Sequence, residues 1–414
     1  MERLPLHGIR VLDLSKVWAG PYGTRLLADM GAEVIKVEAA RAWDMIRSLS
    51  LLPGETERPY NRAAFFNHYN RNKYGCAIDF SKPQGRDLAL RLVAISDVVV
   101  ENYRSDVLAG LGLTYEAMRE VNPDIILVSM PSHGLSGPEA HYVAYGTNIE
   151  QLAGLPSVSG YPDGPPHKSA TSYGDPMAGA TAAAATIAAL LYRRNTGLGQ
   201  HVEVAQWEAF LPLVGEFLVE HSMTGQEPPR RGDRHSSMAP HGVYLCQGDD
   251  SWVAIAVGAD DEFAALCHVL GRPELAQDDR FEDVVSRHRH QDELNEIVST
   301  WTQEHSHRDA AKQLQAAGVA ASPVLRLPEL PEDPHLTERG FFEEVTHREA
   351  GTWLIDRPAW RFDLTPAHTR LPAPCFAEHN DFVLRGLLGL SDEEMVELER
   401  EGVVSSEPVP GQDE

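Results

Sequence analysis

The chain has 414 residues, 43% hydrophobic and 23% charged, which suits a globular protein long enough for two domains. Its formal charge of −25 argues against nucleic acid as a partner, because that would need a basic surface. No apolar run approaches the ~20 residues that span a bilayer, and the first residues lack a secretory layout. Four scattered cysteines form no C-x-x-C pair; with no leader expected, they suit reduced thiols in a cytoplasmic protein.

The first third alternates strand and helix patterns. Arg10 to Leu14 predicts a strand, Gly20-Pro21-Tyr22-Gly23 a turn, Thr24 to Met30 a helix and Ala32 to Glu38 a second strand. Cys76 to Phe80, Asp97 to Val100 and Pro123 to Met130 predict further strands, with a helix over Gly85 to Ile95. Such alternation implies parallel pairing in an α/β, doubly wound open sheet of Rossmann type. The first turn lacks the G-x-G-x-x-G spacing of a dinucleotide site, so Glu38 carries little weight as a ribose-binding acid.

The stretch Thr171 to Phe210 is the most informative. Asp175-Pro176 precedes an Ala-rich run predicted as a helix over 176–194, ending at Arg193 and Arg194. A Gly-rich reversal, Thr196 to Gln200, leads into a strand, His201 to Val204. Asp is a preferred N-cap and Pro a preferred first helical residue, so these residues predict a helix start without any chemistry. A carboxylate held there by amides and the helix dipole is also suited to attack as an anion. Beyond it, Trp207 to Met223 predicts a helix, Thr224 to Gly242 a polar loop and Val243 to Val257 a hairpin. Helices dominate from Asp260 to Ala317, and a last helix is predicted over Ser391 to Arg400.

The Asp175 segment resembles the nucleophile segment of the class III CoA-transferases. That superfamily includes formyl-CoA transferase, carnitine and bile-acid CoA-transferases and α-methylacyl-CoA racemase. The resemblance runs from about residue 7 to residue 400. GIRVLDLSKVWAGPYGTRLLADMGAEVIKVE, NRNKYGCAIDFSKPQG, SDVVVENYRSDVLAGLGLTYE, NPDIILVSMPSHGLSGP, DPHLTERGFFEEVTH and AEHNDFVLRGLL carry it in order. It implies that Asp175 attacks an acyl-CoA thioester. It also implies a CoA cleft at the strand ends. The expected cleft residues are Trp18 and Ala19, Arg41, Asn72 and Lys73, the backbone of Ile78-Asp79-Phe80-Ser81, Asn102, Tyr103 and Arg104, and Tyr145. Asn72 and Lys73 equally suit a solvated turn.

The domains expected are a large CoA-binding part over 1–205, a linker helix over 206–224, a small α+β domain over 225–325, a return segment over 326–404 and a disordered tail over 405–414. The family implies an interlocked homodimer, with coenzyme A present only as part of the substrate and no cofactor bound permanently. The function expected is transfer of CoA from an acyl-CoA donor to a free carboxylic acid, without nucleic-acid or membrane partners. Two alternatives stand beside it: an acyl-CoA racemase or epimerase, and a non-catalytic CoA-binding partner subunit. The racemase uses a His where this chain has Thr147, and Thr is no general base near neutral pH. An intact Asp175 disfavours a non-catalytic subunit. RRGDRHSSMAPHG stands where the formyl-CoA enzyme has its glycine-rich loop, so formyl transfer to oxalate is not expected. No metal site is expected. Ser286 to His290 and His305/His307 have helix spacings that do not share a face, while His235 and His241 suit either an acyl pocket or a turn.

Overall fold

The computed structural model describes residues 4–54 and 56–409. The chain divides into two compact units. One comprises 1–155, 168–226 and 335–414; the other comprises 156–167 and 227–334. The segment 206–224, expected as a linker, is part of the first unit, and 156–167 joins the second.

The larger unit is built on six parallel strands: β1 Arg10–Asp13, β2 Glu33–Glu38, β3 Lys73–Ala77, β4 Val98–Glu101, β5 Ile126–Ser129 and β6 His201–Glu203. Their order is β3-β2-β1-β4-β5-β6, the doubly wound order, with its reversal between β1 and β4. Leu12, Ile35, Val99 and Leu127 point to one face. Val11, Val34, Val98, Ile126 and Val128 point to the other. Side chains alternate along a strand, so near-continuous Val/Ile/Leu runs bury both faces.

In chain order the helices of this unit are α1 Ala19–Asp29, α2 Ala64–Tyr69, α3 Pro83–Ala94, α4 Val107–Gly110, α5 Tyr115–Val121 and α6 Gly146–Leu152. After α7 Leu155–Val158 come α8 Gly174–Thr196, α9 Gln206–Phe210 and α10 Gly215–Thr224. The first sheet face packs Leu88 and Leu92 of α3 and Met118 of α5. The second packs Leu27 of α1 and Ala178, Ala182 and Ala189 of α8. Alanine gives α8 high helix propensity. The helix stops at Gly197, whose φ of +73° forms a left-handed cap. The Gly-Pro-Tyr-Gly segment is not a turn but the first turn of α1, where a proline lacks no helical bond. The helix expected over Trp207 to Met223 is interrupted by a 3₁₀ segment, Leu211–Val214, in which Pro212 withholds an N–H.

The smaller unit has an antiparallel sheet of β7 His241–Leu245, β8 Trp252–Ala256 and β9 Ala320–Val324, with β8 central. It carries helices α11 Asp260–Val269, α12 Val284–Arg289, α13 Gln291–Thr302 and α14 His307–Ala316. Val253, Ile255, Phe263, Leu294 and Leu314 share its core.

After α15 Pro334–Glu338, the chain forms a hairpin, β10 Phe342–His347 with β11 Gly351–Asp356, and a final helix, α16 Asp392–Arg400. Ser391 and Glu394 form a reciprocal capping box at the start of α16. The segment that follows is not disordered as far as Val409. Val404 bridges Ile78, Asn380 Nδ2 donates to the Ser405 carbonyl (3.0 Å), and Val409 N–H donates to the Ala40 carbonyl (2.9 Å). Residues 410–414 of the expected tail lie outside the described residues.

Candidate active site

The site lies at the reversal of strand order, where the loops after β1 and β4 separate. A buried ion cluster fixes the first loop. The Asp13 carboxylate accepts from Ser15 N–H (3.0 Å), Thr24 Oγ1 (2.7 Å) and Lys73 Nζ (2.9 Å). Asn102, just after β4, clasps the same loop: its Oδ1 accepts from Lys16 N–H (2.8 Å) and its Nδ2 donates to the Lys16 carbonyl (2.7 Å). Between these anchors Val17 is held at φ +68°, rare for a β-branched residue, with its N–H on Asp44 Oδ1 (2.9 Å).

Two glycines set how closely α1 and α8 cross. A Cβ on Gly179 would lie 2.6 Å from the Ala19 carbonyl, and one on Gly23 would lie 2.8 Å from the Gly179 carbonyl. With no side chain between them, the start of α8 reaches the start of α1. Gly146, the first residue of α6, closes from another side, and a Cβ there would overlap Asp175 Oδ2.

Asp175 is buried at this junction. α8 begins at Gly174 after Tyr173, so Asp175 lies in the first turn and is not the N-cap. Its carboxylate accepts from the Ala19 and Gly146 amides as well as its own. Burial outweighs the three amide bonds and pushes its carboxyl up to about 6.

A cavity of about 250 Å³ opens against Asp175, lined among others by Lys16, Asn102, Tyr103, Arg104 and Tyr145. Among the described residues, no other carboxylate and no His lines it. The structure thus brings Asn102, Tyr103, Arg104, Tyr145 and Asp175 together, with Ala19 contributing its amide. The Arg104 charge is shared: its guanidinium forms a two-point bond to Asp106 (2.6 and 2.8 Å). Lys16 was not singled out by sequence. Its Nζ donates to the Ala42 carbonyl (2.5 Å), and burial holds its ammonium below the usual lysine range. Gly146 was also missed as an amide donor; a glycine starting a helix is its only local signal.

Other expected contacts lie elsewhere. Trp18 stacks on Tyr69 (5.2 Å) and meets Phe65 edge-on, in an aromatic cluster behind the loop. Lys73 is buried completely, and its ammonium also donates to the Pro21 carbonyl and Asn70 Oδ1, so it is no phosphate ligand. Asn72 precedes β3, at the amino end of the sheet. It donates to Asp29 Oδ1 (2.7 Å) and accepts from Arg370 N–H (2.7 Å). The backbone expected to hold adenosine is already paired: Ile78 N–H donates to the Glu38 carbonyl and Asp79 N–H to the Val403 carbonyl, both at 2.8 Å. Ser81 closes a turn onto Asp79 Oδ1, and Phe80 packs on the core. Arg41 is exposed on the turn after β2. In the smaller unit, the His235 and His241 rings stand 5.2 Å apart, with His241 Nδ1 on the Asp233 carbonyl.

The family described as CoA-transferase family III matches residues 6–380. A succinyl-CoA–D-citramalate CoA-transferase from Chloroflexus aurantiacus is 32% identical, covering 97% of this chain and 98% of its own. A succinate–glutarate CoA-transferase from Agrobacterium fabrum is 34% identical over 92% of this chain and 96% of its own. The crystal structure of a CAIB/BAIF family protein from Brucella suis superposes with a TM-score of 0.85 at 30% identity, covering 93% of this chain and all of that one. The chain belongs to CoA-transferase family III and is a CoA-transferase.

Proposed function

We propose that this CoA-transferase works through covalent intermediates on Asp175. The observation that carries the proposal is a single buried carboxylate, gripped only by backbone amides, on the wall of a cavity at the switch point of the sheet. An Asp175 oxygen attacks the thioester carbonyl of the donor; the C–S bond breaks, and CoA leaves as thiolate from a mixed anhydride. The thiolate then attacks the Asp175 carbonyl carbon, releasing the donor acid and leaving an aspartyl-CoA thioester. The acceptor carboxylate attacks that carbon, CoA thiolate leaves again, and a second anhydride forms. Attack of the thiolate on the acceptor carbonyl releases product and restores the Asp175 carboxylate. Each step joins species of similar energy, which is the benefit of covalent catalysis. Every proton and electron pair stays with substrates and one side chain, so no resident cofactor is called for.

Racemisation is disfavoured because it needs a second base. Thr147 stands where the base would be, and its hydroxyl lies 2.9 Å from Ser172 Oγ. The relatives' names speak of succinate, glutarate and citramalate, so short dicarboxylic acids are the first acceptors to try. A cytoplasmic homodimer is supported by four buried free cysteines and by α10, which buries none of its residues and exposes Leu218, Val219 and Met223. The direct test is Asp175→Ala. Transfer from succinyl-CoA should fall at least ~10³-fold while CoA still binds, because the covalent route is lost. Substantial activity in that variant would remove Asp175 from the mechanism.

A further inference from the structure

Glu101 ends β4 immediately before the cavity-lining residues Asn102 to Arg104. Its side chain is 3% exposed, and one carboxyl oxygen accepts the Tyr103 N–H (2.7 Å). Its other polar partner is Ser129, at the end of β5. Ser129 Oγ lies 2.9 Å from Nε2 of His201 on the edge strand β6, and His201 is exposed. The ends of β4 and β5 and the start of β6 thus set Glu101, Ser129 and His201 in a row from the cavity wall to solvent.

We propose that Glu101 is a positioning residue for CoA transfer, clamping the turn Asn102–Arg104 on the cavity wall and exchanging its proton with solvent through Ser129 and His201. The proposal rests on this cavity being the acyl-CoA site. Among the described residues, no cation acts on Glu101. Burial pushes its carboxyl up to about 7, against the Ser129 and Tyr103 hydrogen bonds. The charged groups acting on His201 are Glu203 of β6 and Glu116 of α5, with the Tyr115 ring packed on it. Loss of part of its hydration holds His201 below the usual imidazole range, which favours the neutral ring.

The bonding can run in two directions. With Glu101 ionised, the Ser129 O–H donates to it, and His201 Nε2–H donates to Ser129 Oγ. Taking up a proton reverses the chain. Solvent delivers H⁺ to His201 Nδ1, Nε2–H passes its proton to Ser129, and Ser129 passes its own to Glu101. One proton enters and each link hands on one. An ionised acceptor grips the Tyr103 amide more strongly than a neutral one. The turn is therefore held tightest above about pH 7 and loosens below it.

The test is the pH dependence of KM for acyl-CoA in wild type and Glu101→Gln, together with the ¹⁵N signal of His201. Wild-type KM should rise about five-fold from about pH 8 to about pH 6, the scale of one lost charge-assisted bond. In Glu101→Gln it should stay flat at the acid-side value, with KM moving more than kcat. His201 should change from the Nε2–H to the Nδ1–H tautomer as pH falls, and Ser129→Ala should move the KM midpoint upward. A wild-type KM profile in Glu101→Gln, or one His201 tautomer across the range, overturns the proposal even if that variant folds poorly. An active Asp175→Asn would instead overturn the reading of the cavity itself, so the two failures are distinguishable.

Discussion

Asp175 carries opposite demands: it must be an anion to attack, yet it sits where water is largely excluded. Burial raises its carboxyl from 3.8 to about 6, which costs the ionised folded form on the order of 3 kcal/mol. The folded value lies above the unfolded one, so the stabilising proton is fully bound below pH 3.8 and lost as pH rises through about 6. Asp175→Asn should therefore be more stable than wild type at about pH 8, by roughly 2–3 kcal/mol, and that advantage should shrink towards about pH 4. Chemical denaturation at both pH values measures it, and equal stability at about pH 8 contradicts the burial argument. In wild type, kcat/KM should fall about ten-fold per pH unit below about 6, as the nucleophile is protonated. The sequence makes Asp175 visible because Asp-Pro before an Ala-rich run is a local pattern. It could not show the Ala19 and Gly146 amides, which come from elements distant in the chain. Lys73 was misplaced for the same reason: its partners Asp13 and Pro21 are invisible to a reading of the turn around it.

At the scale of elements, the strand–helix alternation was legible because runs such as Val98-Val99-Val100 and Ile126-Leu127-Val128 are apolar on both faces. The start of α1 was not, because Gly-Pro-Tyr-Gly satisfies turn chemistry and a helical first turn equally well. The α1–α8 crossing also escaped notice, since a glycine in a helix is locally a defect costing about 1 kcal/mol against alanine. Here the missing side chain lets Ala19 reach Asp175. Gly179→Ala should thus destabilise the protein by about 1–3 kcal/mol despite the better helix former, and kcat should fall with it. Gly215→Ala, where an added Cβ meets nothing within 4 Å, is the control and should be neutral or slightly stabilising. A stabilised, fully active Gly179→Ala would show that the crossing does not set the site.

Over the whole molecule, the charge of −25 surrounds a site that takes a polyphosphate ester. The cations expected in the cleft, Arg41, Lys73 and Arg104, would offset this charge locally. Among the described residues, Lys16 and Arg104 are the cations on the cavity wall, with Arg104 bonded to Asp106. Long-range repulsion should then dominate, and screening should help: KM for acyl-CoA should fall or hold steady as salt rises from about 20 to about 200 mM. A steep rise would restore the basic cleft. The division into units was partly legible, through the change from α/β alternation to a hairpin and helices after residue 225. The inclusion of 156–167 in the smaller unit was not, because no composition shift marks it.

The central claim is the covalent route through Asp175, and peptide mass spectrometry tests it most directly. The enzyme is mixed with succinyl-CoA without acceptor and quenched into hydroxylamine, which captures an aspartyl anhydride or thioester as a hydroxamate. A hydroxamate is expected on the peptide bearing Asp175, dependent on the acyl-CoA and absent elsewhere. A fully active enzyme with no modification there, or with the adduct on another side chain, would contradict it.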